Sequence, residues 1–386
     1  MEFQGNLPNK LPQVGTTIFT TMSALAAETN AVNLSQGFPD FQVNPRLVEM
    51  VNKAMRIGHN QYAPMPGVRV LRDVIQRKVK RLYNADFDVD QEITITAGGT
   101  QGLTTTILST IREGDEVILF TPAYDSYAPI IELAGGSPVY VQLKHPTYLP
   151  DWDEFKQVVN HRTRMVIINT PHNPTGAVWS KGDFDMLATI LNGTNIMVIS
   201  DEVYEHIVFD GHQHHSVLSH PELQHRSFAV FSFGKTFHAT GWKLGYVIAP
   251  ANLMAEFRKV HQYEVFSVNA PLQYALAEYM QDDKVFEIAE MYQQKRDFFH
   301  NLMANTKFKP IPSFGTYFQL YDYSALSDEN DVDYAMRLTR EAGVATIPIS
   351  VFFNVPRQDK VLRFCFAKSE STLAEGAKRL HSWSNA

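Results

Sequence analysis

Short apolar runs that alternate with stretches of helical periodicity constrain the fold of this chain most strongly. Each run is four or five residues long, and buried strands of parallel sheets read as continuous apolar runs of this kind. Strands spaced by helices favour an α/β fold with a largely parallel sheet covered on both faces. The runs are 117–120, 139–143, 165–168, 196–199, 228–231 and 244–248, and a further strand is predicted over 92–96, where Ile93 and Ile95 alternate with polar residues.

The segments before, between and after these runs carry helix signals. Asn44 is a capping residue and Pro45 suits the first helical position, so a helix is predicted from there to Gly58. A second amphipathic helix is predicted over 68–82, and the glycine turn at 98–99 leads from a strand into a third. After about residue 270 long helical patterns follow, over 272–280 and 285–303, and then mixed strands and helices. This change predicts a second, smaller domain.

Composition excludes several classes of protein. With 386 residues, 44% of them hydrophobic and 19% charged, the chain is long enough for one large domain and a smaller one. Its net charge of -7 argues against a nucleic-acid partner. No apolar run is long enough to cross a membrane, and residues 1–12 lack the apolar core of a signal peptide. Cys365 is the single cysteine, which excludes an intramolecular disulfide, so a cytoplasmic location is expected.

Polar residues follow two of the predicted strands. Ligands of open α/β sheets bind beyond the carboxyl ends of the strands, so a site is expected there. Asp201 and Tyr204 follow one strand, and Asn173 follows another. Taken alone, residues 173–176 predict only a turn and Asp201 only a helix cap or surface carboxylate. A pyridine cofactor, however, needs an anion beside its ring nitrogen and donors beside its phenolate oxygen, and these residues are of the right types.

A third segment sets two lysines among small and hydroxylated residues. It runs from Ser232 through Lys235 to Lys243. A lysine amine is a nucleophile only when it is unprotonated, which burial or a nearby cation favours, and Lys243 supplies such a cation. Taken alone, the segment is equally compatible with a glycine-containing loop that carries two solvated lysines.

Six motifs in a fixed order point to one family. With them the chain resembles the class I, fold-type I pyridoxal phosphate aminotransferases, in the subgroup of kynurenine, glutamine and methionine aminotransferases. This resemblance implies a large domain over 45–275 with a mostly parallel seven-stranded sheet between helices, and a smaller α+β domain made of 1–44 and 276–386. The motifs lie at 33–40, 60–62, 173–176, 201–204, 232–243 and 362–364.

The resemblance implies pyridoxal 5'-phosphate as the cofactor. Lys235 would carry the Schiff base and act as general base and acid. Asp201 would pair with the ring nitrogen, and Tyr204 and Asn173 would bind the phenolate oxygen. Tyr124 matches the position whose aromatic ring stacks on the pyridine, although core packing is the alternative role for it.

The cofactor phosphate would bind at the glycine turn, where amides at a helix N-terminus point at an anion. The resemblance assigns this role to Gly98, Gly99, Thr100 and Gln101, with Ser232 and Lys243 completing the site. Many class I relatives have an arginine where Lys243 stands, and the kynurenine-type subgroup tolerates the lysine. Tyr62 matches a tyrosine that reaches the phosphate of the neighbouring subunit, which implies a homodimer with shared active sites.

For the substrate, the resemblance implies that Arg363 binds the α-carboxylate, since its planar fork suits a carboxylate. A surface arginine in an ion pair is the commoner case for such a residue. Gly37 would lend its backbone to the same carboxylate, and Asn173 would also contact the substrate. Phe19, Phe38 and Tyr124 would make the side-chain pocket apolar.

The expected activity is transfer of the α-amino group of methionine to a 2-oxo acid by a ping-pong mechanism. Phenylalanine, tyrosine, histidine, glutamine and kynurenine remain possible donors, because an apolar pocket discriminates poorly between side chains of similar size. Two alternatives stay open: a cysteine-conjugate or cystathionine β-lyase, and a non-enzymatic effector-sensing module. A metal site is not expected, because scattered loop histidines rarely form a coordination shell. The histidines concerned are His206, His212, His214, His215, His220 and His225.

Overall fold

A computed structural model of the chain describes residues 1, 3–355 and 357–385. Its strands fall into three sheets. In chain order they are β1 Val32–Asn33, β2 Ile93–Thr96, β3 Glu116–Thr121, β4 Ser137–Gln142, β5 Thr163–Asn169, β6 Met197–Asp201, β7 Ser227–Ser232, β8 Gly245–Ile248, β9 Lys309–Pro310, β10 Phe318–Asp322, β11 Val344–Ala345, β12 Ile347–Pro348 and β13 Val361–Cys365.

The helices lie mostly between these strands. They are α1 Ile18–Glu28, α2 Pro45–Arg56, α3 Arg69–Tyr83, α4 Gly99–Thr110, α5 Tyr127–Leu133, α6 Trp152–Val158, α7 Lys181–Leu191, α8 Phe233–Thr236, α9 Ala251–Glu264, α10 Ala270–Tyr279, α11 Ala289–Met303, α12 Asp331–Arg337 and α13 Glu370–Ser384. Short 3-10 turns occupy Val217–Ser219, Gln224–Arg226, Thr240–Trp242, Asp283–Phe286 and Ile349–Phe352, and a π turn occupies Leu338–Ala342.

The largest sheet of the described residues has seven strands in the order β2, β8, β7, β6, β5, β3, β4. The six predicted apolar runs and the alternating segment 92–96 form its seven strands, which confirms the α/β class and the mostly parallel sheet. Strand β8 is the exception, because it runs antiparallel to both of its neighbours. Helices α4, α5 and α9 and the inner faces of the strands form one core cluster, and a larger cluster covers the opposite face.

Local signals set the helix ends where the sequence predicts them. The side chain of Asn44 accepts a hydrogen bond from the Arg46 amide, and Pro45 is the first residue of α2. The helix predicted over 285–303, however, is wrong in its first turn. Phe286 and Ile288 are both buried and Glu287 between them is exposed. An α-helix does not place residues i and i+2 on one face, and here the 3-10 turn Asp283–Phe286 ends before Glu287 and α11 begins at Ala289.

A smaller antiparallel sheet has the order β12, β13, β10, β9. Arg363 lies in β13 opposite Leu320 of β10. Strand β1 pairs in parallel with β11, so the N-terminal segment contacts the C-terminal part of the chain. The domain boundaries at 44–45 and 275–276 stay a prediction.

The carboxyl ends of three neighbouring strands place polar side chains at one edge of the large sheet. Strand β5 ends at Asn169, β6 at Asp201 and β7 at Ser232, and Asn169 lies directly opposite Asp201. This edge is where ligands of α/β sheets bind. Among the described residues, no helix has the length and apolar character needed to cross a membrane.

Candidate active site

A cavity of about 200 Å³ lies at this edge of the sheet. Nine of the residues that the sequence predicts to bind the cofactor line this cavity. These are Gly99, Thr100, Tyr124, Asn173, Asp201, Tyr204, Ser232, Lys235 and Lys243. Residues separated by more than a hundred positions in the sequence therefore surround one space.

Lys235 projects from α8, the single helical turn that follows β7. Its amine donates hydrogen bonds to the Tyr317 hydroxyl at 2.9 Å and to the Gly37 carbonyl at 3.5 Å. Burial lowers the pKa of Lys235 to about 8, and the nearby cations of Arg363 and Lys243 act in the same direction. A lysine with this pKa is unprotonated in part near neutral pH, so it is available as a nucleophile.

Asp201 is buried, with 4% of its surface exposed. One carboxylate oxygen accepts a hydrogen bond of 2.6 Å from the Tyr127 hydroxyl, and the other accepts one of 3.3 Å from the Val203 amide. Burial raises the pKa of Asp201 to about 6, against the opposing effect of the Tyr127 hydrogen bond. The carboxylate is thus a buried anion that a cationic ring nitrogen would stabilise.

The turn between β2 and α4 forms a cradle for an anion. Gly98 has a φ of 84°, which favours glycine, and Gly99 and Thr100, whose amides have no partner within the helix, line the cavity at the start of α4. A Cβ atom on Gly99 would lie 3.0 Å from the Val203 side chain. Ser232 and Lys243 line the same wall. Among the described residues the Lys243 amine makes no hydrogen bond or ion pair, so the donor set fits a phosphate group.

Gln101 differs from its neighbours in this turn, because its side chain does not line the cavity. Oε1 of the Gln101 side chain accepts from the Ala97 backbone amide at 2.9 Å, and its Nε2 lies 3.1 Å from Nδ1 of His261. The side chain also donates to Thr105 at 2.5 Å. Gln101 therefore ties the turn to α9, and any contact of this residue with an anion rests on its backbone.

Arg363 is a fully buried cation next to the cavity, with 1% of its surface exposed. It donates to the Asn173 side-chain oxygen at 2.9 Å and to the Ser35 carbonyl at 3.1 Å. Its guanidinium carbon lies 3.9 Å from the ring centroid of Phe318 and 5.3 Å from that of Phe19. Burial lowers the pKa of Arg363 to about 10, so the group stays protonated at neutral pH.

The Nε atom of Arg363 is buried and has no hydrogen-bond partner among the described residues. A buried cation with an unused donor is costly unless a ligand completes it. The arrangement therefore fits a small carboxylate that binds beside the aromatic rings of Phe19 and Phe318.

The loop at Gly37 lies against the same side chains. The Gly37 carbonyl accepts from the Tyr317 hydroxyl at 2.6 Å, and a Cβ atom on Gly37 would lie 2.7 Å from the Phe318 ring. Of the residues that the sequence predicts to bind the substrate, Tyr124 and Asn173 line the cavity, whereas Gly37, Phe38, Phe19 and Arg363 do not. Phe38 is 45% exposed, and its ring lies 4.4 Å from the Lys368 amine, which also holds the Phe38 carbonyl at 2.7 Å.

Tyr62 lies outside the cavity of its own chain. It is 81% exposed, and its ring packs edge-on against Phe266 at 5.1 Å. A separate shallow groove along 60–62 and 267–271 surrounds it. Its role in the site of a neighbouring subunit stays a proposal.

The histidines that follow β6 have partners other than a metal. His214 lies 2.9 Å from the buried Glu202 carboxylate, His220 lies 3.2 Å from Asp185, and His212 stacks on Phe314. Over residues 1, 3–355 and 357–385, no group of three or more potential ligands is arranged to hold a metal ion.

Comparison with known proteins agrees with this geometry. The family described as aminotransferase class I and II matches residues 29–380. The methionine aminotransferase of Escherichia coli strain K12 is 52% identical over 374 residues, which is 96% of this chain and 97% of the relative. Human kynurenine–oxoglutarate transaminase 1 is 33% identical, over 93% of this chain and 94% of the relative.

The fold of the chain also matches that of a solved aminotransferase structure. The crystal structure of YbdL from Escherichia coli, for which a methionine aminotransferase function was identified, superposes with a TM-score of 0.95 at 50% identity. The match covers 98% of this chain and 100% of that one. These matches confirm the resemblance and the enzyme class expected from the motifs. The chain belongs to the class I and II aminotransferase family, whose members use pyridoxal phosphate.

Proposed function

We propose that this aminotransferase takes the α-amino group of methionine, and of other large neutral amino acids, and passes it to a 2-oxo acid with pyridoxal 5'-phosphate on Lys235. The observation that carries the proposal is a cavity lined by the amine of Lys235 and the buried carboxylate of Asp201. The buried guanidinium of Arg363 lies next to it and is bound to Asn173, which also lines the cavity. Aromatic donors, histidine, glutamine and kynurenine belong to the same proposed range.

The residues around the cavity fit both the phosphate group and the pyridine ring of the cofactor. The α4 turn, Ser232 and Lys243 would hold the phosphate. Asp201 would lie at the ring nitrogen, and Tyr124 would pack on the ring face. The Asn173 side-chain oxygen is already bound to Arg363, so its amide hydrogens are left to donate to the phenolate oxygen, together with the Tyr204 hydroxyl.

Pyridoxal phosphate supplies, when bound, an electron sink that stabilises negative charge at the substrate α-carbon. Lys235 would have two roles, which are to hold the cofactor covalently and to move the α-proton of the substrate as a free amine. Both roles need an unprotonated amine near the working pH, and burial lowers the pKa of Lys235 toward that range. Asp201 keeps a proton at the ring nitrogen.

Arg363 orients the substrate. Its unused Nε and the aromatic rings beside it bind the α-carboxylate and exclude water from it. Leu103, Val203 and Leu244 line the cavity with apolar surface, which strengthens every charge interaction inside. The α-carbon of a bound amino acid is thereby held in reach of Lys235.

Methionine is expected to be a better donor than aspartate. The rings of Phe19, Phe318 and Phe352 surround Arg363 and offer a thioether apolar contacts, whereas a second carboxylate would be desolvated there. We expect kcat/KM for methionine to exceed that for aspartate by about 100-fold or more. Steady-state rates with a common 2-oxo acid acceptor measure this ratio. A larger kcat/KM for aspartate would contradict the assigned pocket.

Two further parts of the proposal concern the protein in solution. A homodimer with shared sites is supported by the exposed aromatic pair Tyr62 and Phe266, which a partner surface would cover. A single-chain mass by light scattering would contradict it. A cytoplasmic location is supported by the single, buried cysteine, Cys365. Cell fractionation tests it, and recovery of the protein in another compartment would contradict it.

A further inference from the structure

The hydroxyl of Tyr317 lies against the amine of Lys235. Tyr317 precedes β10 and is fully buried. Lys235 donates a hydrogen bond of 2.9 Å to this hydroxyl, and the hydroxyl in turn donates one of 2.6 Å to the Gly37 carbonyl. The three groups form a short chain that ends at a backbone acceptor.

The 2.6 Å contact with the Gly37 carbonyl assigns the direction of the hydrogen bonds in this chain. A tyrosine hydroxyl has one hydrogen, and a carbonyl oxygen can only accept. Because that hydrogen points to Gly37, Tyr317 can only accept from Lys235. When the unprotonated Lys235 amine donates an N–H to Tyr317, its lone pair points away from Tyr317. Because Lys235 lines the cavity, this lone pair is available to a substrate bound there.

Packing holds the Tyr317 ring in place. It contacts the rings of Tyr204 and Phe318 edge-on, with centroid distances of 5.2 and 4.9 Å, and that of Tyr292 at 5.8 Å. The residue before it, Thr316, has a φ of 66°. A β-branched residue in the left-handed region is strained, and such strain persists where the surrounding structure fixes the backbone.

We propose that Tyr317 is a positioning residue for the amine of Lys235: its hydroxyl, held by the Gly37 carbonyl, keeps the nitrogen lone pair directed at the substrate α-carbon. The inference rests on the proposed aminotransferase function. In the step that it serves, the α-proton moves to the lone pair of Nζ. The electron pair of the broken C–H bond stays with the substrate and is delocalised into the bound cofactor ring.

The substitution Tyr317→Phe removes the hydroxyl and keeps the ring. We expect kcat with methionine to fall roughly 10-fold, the effect of losing one hydrogen bond between neutral groups that orients the base. KM should stay within about threefold, because Tyr317 does not bind the substrate. The isotope effect on kcat with α-deuterated methionine should increase, since proton removal becomes slower.

Tyr292→Phe is the matched control. Tyr292 is also fully buried and packs on the Tyr317 ring, but its hydroxyl is bound to Nδ1 of His238 at 2.9 Å. It should leave kcat within about threefold of the wild-type value. An equal loss of kcat in both variants, or an unchanged kcat and isotope effect in Tyr317→Phe, would overturn the proposal.

A crystal structure of the wild-type holoenzyme after treatment with methionine gives a test that needs no variant. Nζ of Lys235 should lie about 3 Å from the Tyr317 hydroxyl. A separation of more than about 4 Å would overturn the inference even if Tyr317→Phe does not fold. Absence of turnover in the wild-type protein would instead remove the proposed function, so the two failures are distinguishable.

Discussion

Lys235→Ala is expected to abolish both the covalent attachment of pyridoxal phosphate and the transamination of methionine. Among the described residues, Lys243 is the other lysine that lines the cavity, and its amine lies beside Gly98 on the phosphate side. Loss of a nucleophile that is also the general base should lower kcat by about 10⁴-fold or more. The visible absorption of the lysine-bound cofactor and the rate with methionine measure the two effects.

Lys243→Ala separates the two lysines of this segment. It removes a cation from the anion cradle and leaves the nucleophile in place. Affinity for pyridoxal phosphate should fall roughly 10- to 100-fold, while the variant saturated with cofactor keeps the visible absorption band. Turnover or visible absorption that persists in Lys235→Ala would contradict the assignment of the nucleophile.

Asp201→Asn is expected to have the second largest effect. Asparagine has nearly the same shape and can still accept from the Tyr127 hydroxyl, so the fold around the site should be kept. A neutral amide does not keep the ring nitrogen of pyridoxal phosphate protonated. An unprotonated ring stabilises the negative charge at the substrate α-carbon less well. We expect kcat to fall roughly 100- to 1000-fold, measured with methionine at saturating cofactor.

Tyr127→Phe tests the protonation state of the Asp201 carboxylate through the pH dependence of cofactor affinity. The hydrogen bond from Tyr127 opposes the rise in the pKa of Asp201, which is about 6, so its loss raises that pKa further. The carboxylate is then protonated at a higher pH, and the protonated form does not pair with a cationic ring nitrogen. Affinity of the apoenzyme for pyridoxal phosphate should fall about tenfold at pH 6 and less than about twofold at pH 8. Equal losses at both pH values would contradict this.

The strands of the large sheet were predictable because buried parallel strands consist of uninterrupted apolar residues. The direction of β8 was not, since its run 244–248 reads like the others and strand direction depends on the connections around it. The break before α11 required knowing that Phe286 and Ile288 are buried together. Burial follows from the tertiary contacts of a segment.

The polar residues of the site were predictable in part for a similar reason. Asp201 and Asn173 follow strands, and the carboxyl ends of parallel strands meet at one edge of a sheet. Tyr127 and Tyr317 were not predicted, because nothing in the sequence separates them from the other tyrosines among the 16 in the chain. Their hydroxyl partners, Asp201 and Lys235, lie 74 and 82 positions away.

The central claim is that Lys235 binds pyridoxal phosphate in a cavity that also accepts the amino group of methionine. The visible absorbance of the purified protein, recorded before and after addition of methionine without a 2-oxo acid, tests it most directly. We expect a visible band of lysine-bound cofactor that methionine removes, because the amino group then stays on the cofactor. A colourless protein that pyridoxal phosphate does not reconstitute would contradict the assignment of the site.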